Sequence, residues 1–141
     1  MRIKTTIVLF FGLCCFLRAQ NKSVLSALKR QEIVVGRGGG FAGTETQYRF
    51  SEDGMVAKKT GQDSLFRVVR QHPPATFEQW KKWANQLKIK ELVHQKTGNV
   101  YYFVRYREKI KYYQVSWPEA KAPKGFQAFY RGFMRKIVKD A

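Results

Sequence analysis

Residues 100–117, VYYFVRYREKIKYYQVSW, decide the fold of this chain. The stretch is rich in aromatic and β-branched residues, and apolar side chains alternate with polar ones in both of its halves. A period of two residues is typical of β-strands. A tight turn at residues 108–109 predicts an antiparallel hairpin whose strands are residues 100–107 and 110–117.

The predicted pairing sorts the side chains of this hairpin onto two faces. Val104 lies opposite Tyr113, on an almost wholly apolar face that we expect beneath helices. A slip of one residue would bury the charges of the other face, so the pattern specifies which residues share a face. That other face is aromatic and cationic, and it supplies most of the candidate ligand-binding residues: Tyr101, Arg105, Arg107, Tyr112 and Gln114.

Rings and guanidinium groups on one face suit an anionic or sugar ligand. Aromatic faces attract cations, and a guanidinium fork donates parallel hydrogen bonds to a carboxylate or a phosphate. A structural interpretation stands beside this one, because Arg105 faces Tyr112 in the predicted pairing and would cover that ring as an ordinary cross-strand pair.

Residues 36–43, GRGGGFAG, include five glycines. The spacing GxGxxG from residue 38 formally matches a dinucleotide-binding motif, but that motif must open a helix. Residues 44–50 alternate as a strand instead, so we predict a glycine-rich turn or bulge between two strands. Bare backbone amides beside Arg37 would still suit an anion. Arg37 therefore joins the candidate site, and both a functional and a structural role for the segment stay open.

The rest of the chain predicts further strands and two amphipathic helices. The additional strands lie at residues 32–35, 44–50, 55–60 and 64–70. The first helix opens with a capping box formed by Thr76 and Gln79, and the second runs to about Val138. Apolar side chains fall on one stripe of each helix: Phe77, Trp80, Ala84 and Leu87 in the first, and Phe126, Phe129, Phe133 and Ile137 in the second.

These elements predict an α+β fold. We expect a mostly antiparallel sheet of about five strands, with the two helices packed on one face. Residues 20–141 would form this single basic domain, and residues 1–19 a signal peptide.

The first 19 residues have the layout of a cleavable secretory signal. Arg2 and Lys4 precede an uncharged apolar run that ends before Arg18, and Ala19 supplies the small residue at the exit. A membrane-spanning helix needs about 20 apolar residues, so we predict export with cleavage after Ala19 and no transmembrane segment afterwards. A retained anchor and acylation of a cysteine in the run are the alternatives.

The charge balance of the chain favours anionic partners. The chain has 27 Lys and Arg against 10 Asp and Glu, and removal of the three basic signal residues leaves 24 against 10, a net charge of +14. Such an excess attracts acidic polysaccharide, lipid head groups or acidic proteins; export makes nucleic acid the least accessible partner. Solubility alone is the other explanation of the charge. Cys14 and Cys15 both fall in the signal, so the mature domain would fold without disulfides.

Catalytic chemistry has few candidates in this sequence. His72 lies in a proline-containing loop and His94 near a predicted helix end. No set of His, Asp and Glu has metal-ligand spacing, so no catalytic residue, metal or cofactor is predicted. A hydrolase of unknown type, assembled in space around one of the two histidines, is an alternative.

Five short motifs are distributed along the chain: GGGFAGT at residues 38–44, DG at 53–54, GNVYYF at 98–103, Trp117 and FYRGFM at 129–134. Together they resemble those of uncharacterised small secreted proteins of Bacteroidota. The resemblance implies an envelope protein with a framework of turns and aromatic residues, and it carries over no catalytic residue. Pro118 departs from the pattern, in which glycine is expected after Trp117.

The sequence therefore favours an exported, non-enzymatic envelope protein that binds an anionic ligand through its basic and aromatic face. A structural or protein-interaction component of the envelope is the second hypothesis. The expected location is the periplasm, the cell surface or the medium.

Overall fold

The computed structural model describes residues 30–92, 94–95 and 98–139, with the backbone alone at 94–95. The predicted signal peptide, with both cysteines, lies outside the described residues. Residues 20–29 of the predicted mature domain lie outside them as well.

The described chain folds into strands, two α-helices and a π-helical segment. In chain order these are β1 (Glu32–Gly39), β2 (Thr44–Ser51), β3 (Met55–Thr60), β4 (Arg67–Gln71), α1 (Pro74–Gln86), β5 (His94–Gln95), β6 (Val100–Glu108), β7 (Lys111–Pro118), α2 (Phe126–Phe133) and the π-helix Met134–Lys139.

All of the strands join one sheet, in the order β4-β3-β2-β1-β6-β7-β5. The neighbours from β4 to β7 are antiparallel, and β5 pairs with β7 in parallel. The α+β class and the mostly antiparallel sheet are thus confirmed, with six antiparallel strands where about five were expected. β5 was not predicted because two residues carry no periodic signal, and it places the backbone of His94 in a strand rather than at a helix end.

The hydrophobic core lies between the helices and one face of the sheet, which we call the helix side. Buried residues of α1, α2 and the π-helix form one cluster with Ile33, Val35, Phe50, Val104 and Trp117 of the sheet. Both predicted apolar stripes belong to this cluster: Phe77, Trp80 and Ala84 with Leu87 at the margin, and Phe126, Phe129, Phe133 and Ile137. The periodicity therefore identified the packing faces correctly.

The predicted pairing of the hairpin is wrong by two residues. Glu108 pairs with Lys111, so the turn consists of Lys109 and Ile110 rather than residues 108–109. Lys109 has a φ of 57°, the backbone conformation that tight hairpin turns require at their first central position. Because the side-chain period is two, a shift of two residues changes the cross-strand partners but leaves every side chain on its predicted face.

The predicted capping box is also wrong. Helix α1 begins at Pro74 with Pro73 as its N-cap, and no side chain caps it. Thr76 lies within the first turn, because proline at the first helical position, with its φ already set, starts the helix three residues earlier. The second helix reaches the predicted end, but its last turns, Met134–Lys139, are π-helical.

The glycine-rich segment is strand in its first half. Strand β1 continues to Gly39, so the turn comprises only residues 40–43. Gly36 and Gly38 lie inside β1 beneath two rings of β6: a Cβ on Gly36 would come 2.6 Å from Cε1 of Phe103, and one on Gly38 would come 2.5 Å from Cζ of Tyr101. These two glycines are therefore seats for aromatic rings, which is the close approach that glycine in a strand permits.

Candidate functional site

The candidate residues of the hairpin lie on the face of the sheet opposite the helix side, which we call the Arg105 face. In its central row Arg49 of β2, Val34 of β1, Arg105 of β6 and Gln114 of β7 are successive neighbours. In the next row Glu32, Arg107 and Tyr112 are neighbours. The structure thus brings five of the six predicted residues onto one face and adds Arg49, which the sequence analysis did not include.

Arg105 is oriented by two neighbours. Its Nε donates to Oε1 of Gln114 at 2.8 Å, and its guanidinium lies 5.6 Å from the centre of the Phe103 ring. The predicted pairing of Arg105 with Tyr112 is wrong because of the two-residue shift. No side chain within residues 30–92 or 98–139 accepts from the two Nη groups of Arg105, so these donors remain available to a ligand.

Arg107 is paired more extensively. Its Nε lies 3.5 Å from Oε1 of the buried Glu32, and its Nη1 donates to the Tyr112 hydroxyl at 3.3 Å. The Tyr112 side chain is 57% exposed, and the Arg107 guanidinium lies 5.9 Å from the centre of its ring. Arg107 therefore holds an exposed ring at the margin of the face.

Tyr101 belongs to the acidic end of the face. Its ring crosses Gly38, and its hydroxyl donates to Oε2 of Glu45 on β2 at 2.6 Å. The hydrogen bond to Glu45, reinforced by partial burial and by the carboxylate charge, raises the pKa of the Tyr101 hydroxyl. Because this hydroxyl already donates to a carboxylate, Tyr101 is not available as a donor to an anion.

Arg37 does not belong to this face. It lies in β1 opposite Tyr102 of β6, and Tyr102 points to the helix side together with Trp117. The Arg37 guanidinium lies 5.7 Å from the centre of the Tyr102 ring. Because the glycine segment is strand here, successive side chains alternate between faces, and Arg37 is separated from the other candidates by the sheet itself.

Arg49 is the cation that the sequence analysis missed. Its guanidinium lies 4.4 Å from the centre of the Phe66 ring, which itself precedes β4. The alternation of residues 44–50 places Arg49 opposite Tyr48 and Phe50, but only the strand order brings it beside Val34 and into the row of Arg105. No local sequence pattern predicts that Arg49 and Arg105 share a row, because strand order is not encoded within one strand.

The charges of the Arg105 face are unequally distributed. Glu45 lies at the Tyr101 end, and Glu32 is 8% exposed and already paired with Arg107. Arg49 and Arg105 flank Val34 in the row between these carboxylates. Guanidinium groups that are held by aromatic rings keep donors free for carboxylate, sulfate or phosphate, so this row is the part of the face suited to an anion.

His72, one of the two histidines considered for catalysis, has a structural contact. Nε2 of His72 lies 3.0 Å from the carbonyl oxygen of Ile137, 65 residues away. A carbonyl only accepts, so Nε2 carries the proton and donates. The ring also packs edge-on against Phe50 with centroids 5.8 Å apart. His72 thereby ties the loop before α1 to the π-helix, and residues 30–92 and 98–139 contain no group of three His, Cys, Asp or Glu side chains placed to hold a metal.

Within the described ranges, no helix combines the length and the apolar character that crossing a bilayer requires. No protein-family model matches the chain, and the curated proteins include none with a similar sequence.

Proposed function

We propose that this protein is an exported, non-enzymatic binding protein that takes an anionic ligand on the Arg105 face. The observation that carries the proposal is the row in which Arg49 and Arg105 flank Val34, with Gln114 and the Arg107–Tyr112 pair beside it. The guanidinium groups of Arg49 and Arg105 each lie against an aromatic ring. Because the ring already orients the side chain, less rotamer freedom is lost when a ligand binds.

The ligand proposed is an acidic polymer that carries carboxylate or sulfate groups, such as an acidic polysaccharide. The Nη groups of Arg105 match a planar or tetrahedral anion, and the exposed Tyr112 ring offers an apolar surface beside it. The net charge of +14 on residues 20–141 adds long-range attraction to any polyanion. An acidic protein would meet the same cations and is distinguished below.

Export is the second part of the proposal. The basic start, apolar run and Ala19 at the exit support it. Because both cysteines fall in the proposed signal, the exported domain would have to rely on its core and not on disulfides for stability.

The test compares two variants with the same loss of charge. In the site variant Arg49→Gln/Arg105→Gln, both guanidinium groups that flank Val34 are replaced by neutral hydrogen-bonding side chains, and the pair of Arg107 with the buried Glu32 is kept. The control is Lys121→Gln/Lys124→Gln, because both lysines are exposed in the loop between β7 and α2 and form no ion pair with any described residue. Lys81 is a poorer control, since its Nζ lies 2.8 Å from the Glu78 carboxylate.

Binding to heparin and to an acidic protein of similar charge would be measured at several salt concentrations, after circular dichroism shows that both variants fold. Hydrogen bonds to charged groups contribute about 1.5–3 kcal/mol each, so the site variant should bind heparin at least about tenfold more weakly. Its affinity should also depend less on salt. The proposal fails if the two variants lose affinity equally, because the attraction would then be diffuse. Tighter binding of the acidic protein, lost in the site variant, would favour the interaction-component hypothesis.

A further inference from the structure

A second surface, between the two helices, combines an aromatic floor with a cationic rim. Two hollows meet there at the half-buried Trp83 of α1. The smaller, of about 230 Å³, is lined by Thr76, Gln79, Trp80, Trp83, Lys136 and Ile137. The larger, of about 370 Å³, is lined by Trp83, Ala128, Arg131, Gly132, Arg135 and Lys136. We call the two together the Trp83 groove.

The floor of the groove is a packed aromatic cluster. The Trp83 ring lies 5.0 Å from the ring centroids of both Trp80 and Phe129. Gly132 of α2 passes close beneath it, since a Cβ there would come 3.3 Å from Cη2 of Trp83 and Cη2 of Trp80. Trp80 is 6% exposed, so Trp83 provides most of the aromatic surface open to a ligand.

The cations of the rim come from the last turn of α2 and from the π-helix that continues it. Hydrogen bonds in a π-helix join residues five apart, and short π-helical segments recur at functional sites. Arg131 and Lys136 are five apart and Arg131 and Arg135 four apart, so all three cations return to the same side as the helix changes type. None of the three forms an ion pair with a described residue, and no carboxylate lines either hollow.

The chemistry of the two hollows differs in a way that identifies a ligand class. The larger hollow offers three cations that form no ion pair with a described residue, and the smaller, which shares Lys136, adds the hydroxyl of Thr76 and the amide of Gln79 beside the Trp83 ring. A saccharide unit with a carboxylate matches this arrangement, because its apolar ring face covers an indole, its hydroxyls meet neutral polar groups and its carboxylate meets guanidinium groups. A single-stranded nucleic acid instead needs successive stacking platforms along a groove, whereas one ring dominates here.

We propose that the Trp83 groove binds a uronic-acid unit of an acidic polysaccharide, with Trp83 beneath the sugar ring and Arg131, Arg135 and Lys136 around its carboxylate. The groove lies on the helix side and the Arg105 face on the other side of the sheet. The two sites therefore have separate residues and separate tests.

The experiment titrates the protein with a galacturonic acid oligosaccharide and follows tryptophan fluorescence. Trp117 is fully buried, so a change on binding reports the two tryptophans of the groove, Trp83 and its neighbour Trp80. Two variants probe the site: Trp83→Leu keeps an apolar side chain against Phe129, and Arg131→Gln/Arg135→Gln removes two cations. Because Trp83→Leu removes the fluorescent side chain, calorimetry measures the affinity of that variant for the oligosaccharide. The apolar surface that a sugar ring buries against an indole and the charge-assisted hydrogen bonds each account for a factor of about ten or more.

The inference predicts that both variants weaken binding of the oligosaccharide about tenfold. Lys121→Gln/Lys124→Gln should change it less than about twofold, because a surface charge distant from the site acts only through a screened field. Inorganic polyphosphate, which has charge but no sugar ring, should be insensitive to Trp83→Leu. If Trp83→Leu fails to fold, Arg131→Gln/Arg135→Gln carries the test, and unchanged affinity in that variant overturns the inference.

Three results would overturn the inference. One is an oligosaccharide affinity unchanged in both groove variants. Another is a preference for oligothymidylate over the oligosaccharide, which would assign the groove to nucleic acid. The third is a loss confined to Arg49→Gln/Arg105→Gln, which would leave the proposed function of the sheet face standing without this groove. Loss in the groove variants alone would support the groove, and the sheet face would then be judged by its own test with heparin.

Discussion

The contact between Gly36 and Phe103 yields a prediction whose sign depends on the structure. Alanine ordinarily stabilises a strand relative to glycine, by about 0.4–1 kcal/mol, because it restricts the unfolded chain. Gly36 has no positive φ, so its backbone accepts alanine. A Cβ at this position would nevertheless come 2.6 Å from Cε1 of Phe103 and 2.8 Å from the carbonyl oxygen of Thr46.

Gly36→Ala should therefore destabilise the protein. Forcing an additional methyl group into a packed site costs about 1–3 kcal/mol. The Phe103 ring is 1% exposed, so Phe103→Ala alone should cost about 3–5 kcal/mol. In the double variant the ring is gone and only the Thr46 contact remains, so the total should be less than the sum of the two single effects, by at most the cost of about 1–3 kcal/mol of Gly36→Ala.

Unfolding of the parent, the two single variants and the double variant in guanidinium chloride would measure this coupling. A matched cycle with Gly40→Ala provides the control, because a Cβ at Gly40 meets nothing within 4 Å and its cost arises from a φ of 82°. That cycle should show a coupling near zero. A Gly36→Ala variant as stable as the parent, or additive effects of the two changes, would refute the ring-on-glycine explanation.

Three further predictions concern the core, the charges and the thiols. Truncating Trp80, Phe133 or Trp117 to alanine should each lower the free energy of unfolding by about 3–5 kcal/mol, since all three are buried. Thermal unfolding would measure this loss, and a loss below about 1 kcal/mol would contradict the packing. Lys90 donates a hydrogen bond of 2.7 Å to the Glu108 carboxylate and holds its pKa below the ordinary value. The pair therefore stabilises the fold above the ordinary pKa of a glutamate, and this contribution is lost as the pH falls through the lowered pKa. The stability difference between the parent and Glu108→Gln should be about 0.5 kcal/mol at neutral pH and should vanish in acid; a difference that persists in acid would exclude the ion pair as its cause. The exported form should begin at Gln20, and a measured intact mass that includes residues 1–19 or acyl chains would contradict cleavage after Ala19. Its melting temperature by calorimetry should be the same with or without a reducing agent, because no cysteine follows residue 15.

Much of the fold follows from local patterns, because the direction of a side chain is set within one strand or one helical turn. Alternation in residues 100–117 placed Val104 and Arg105 on opposite faces, and this held despite the wrong register, since the period is two. Helical spacing likewise identified Trp80 and Phe133 as core residues before any packing was known.

The partners of those side chains were decided by tertiary structure, because they depend on strand order and turn geometry. The turn at Lys109 moved Tyr112 from Arg105 to Arg107, and the extension of β1 through the glycines moved Arg37 to the helix side. Strand order alone set Arg49 beside Val34. The Trp83 groove depends on two helices 40 residues and more apart in sequence and on a π-helical turn, and no local pattern encodes contacts at that separation. The sequence thus determined the faces, while the packing of distant elements determined which residues share a site.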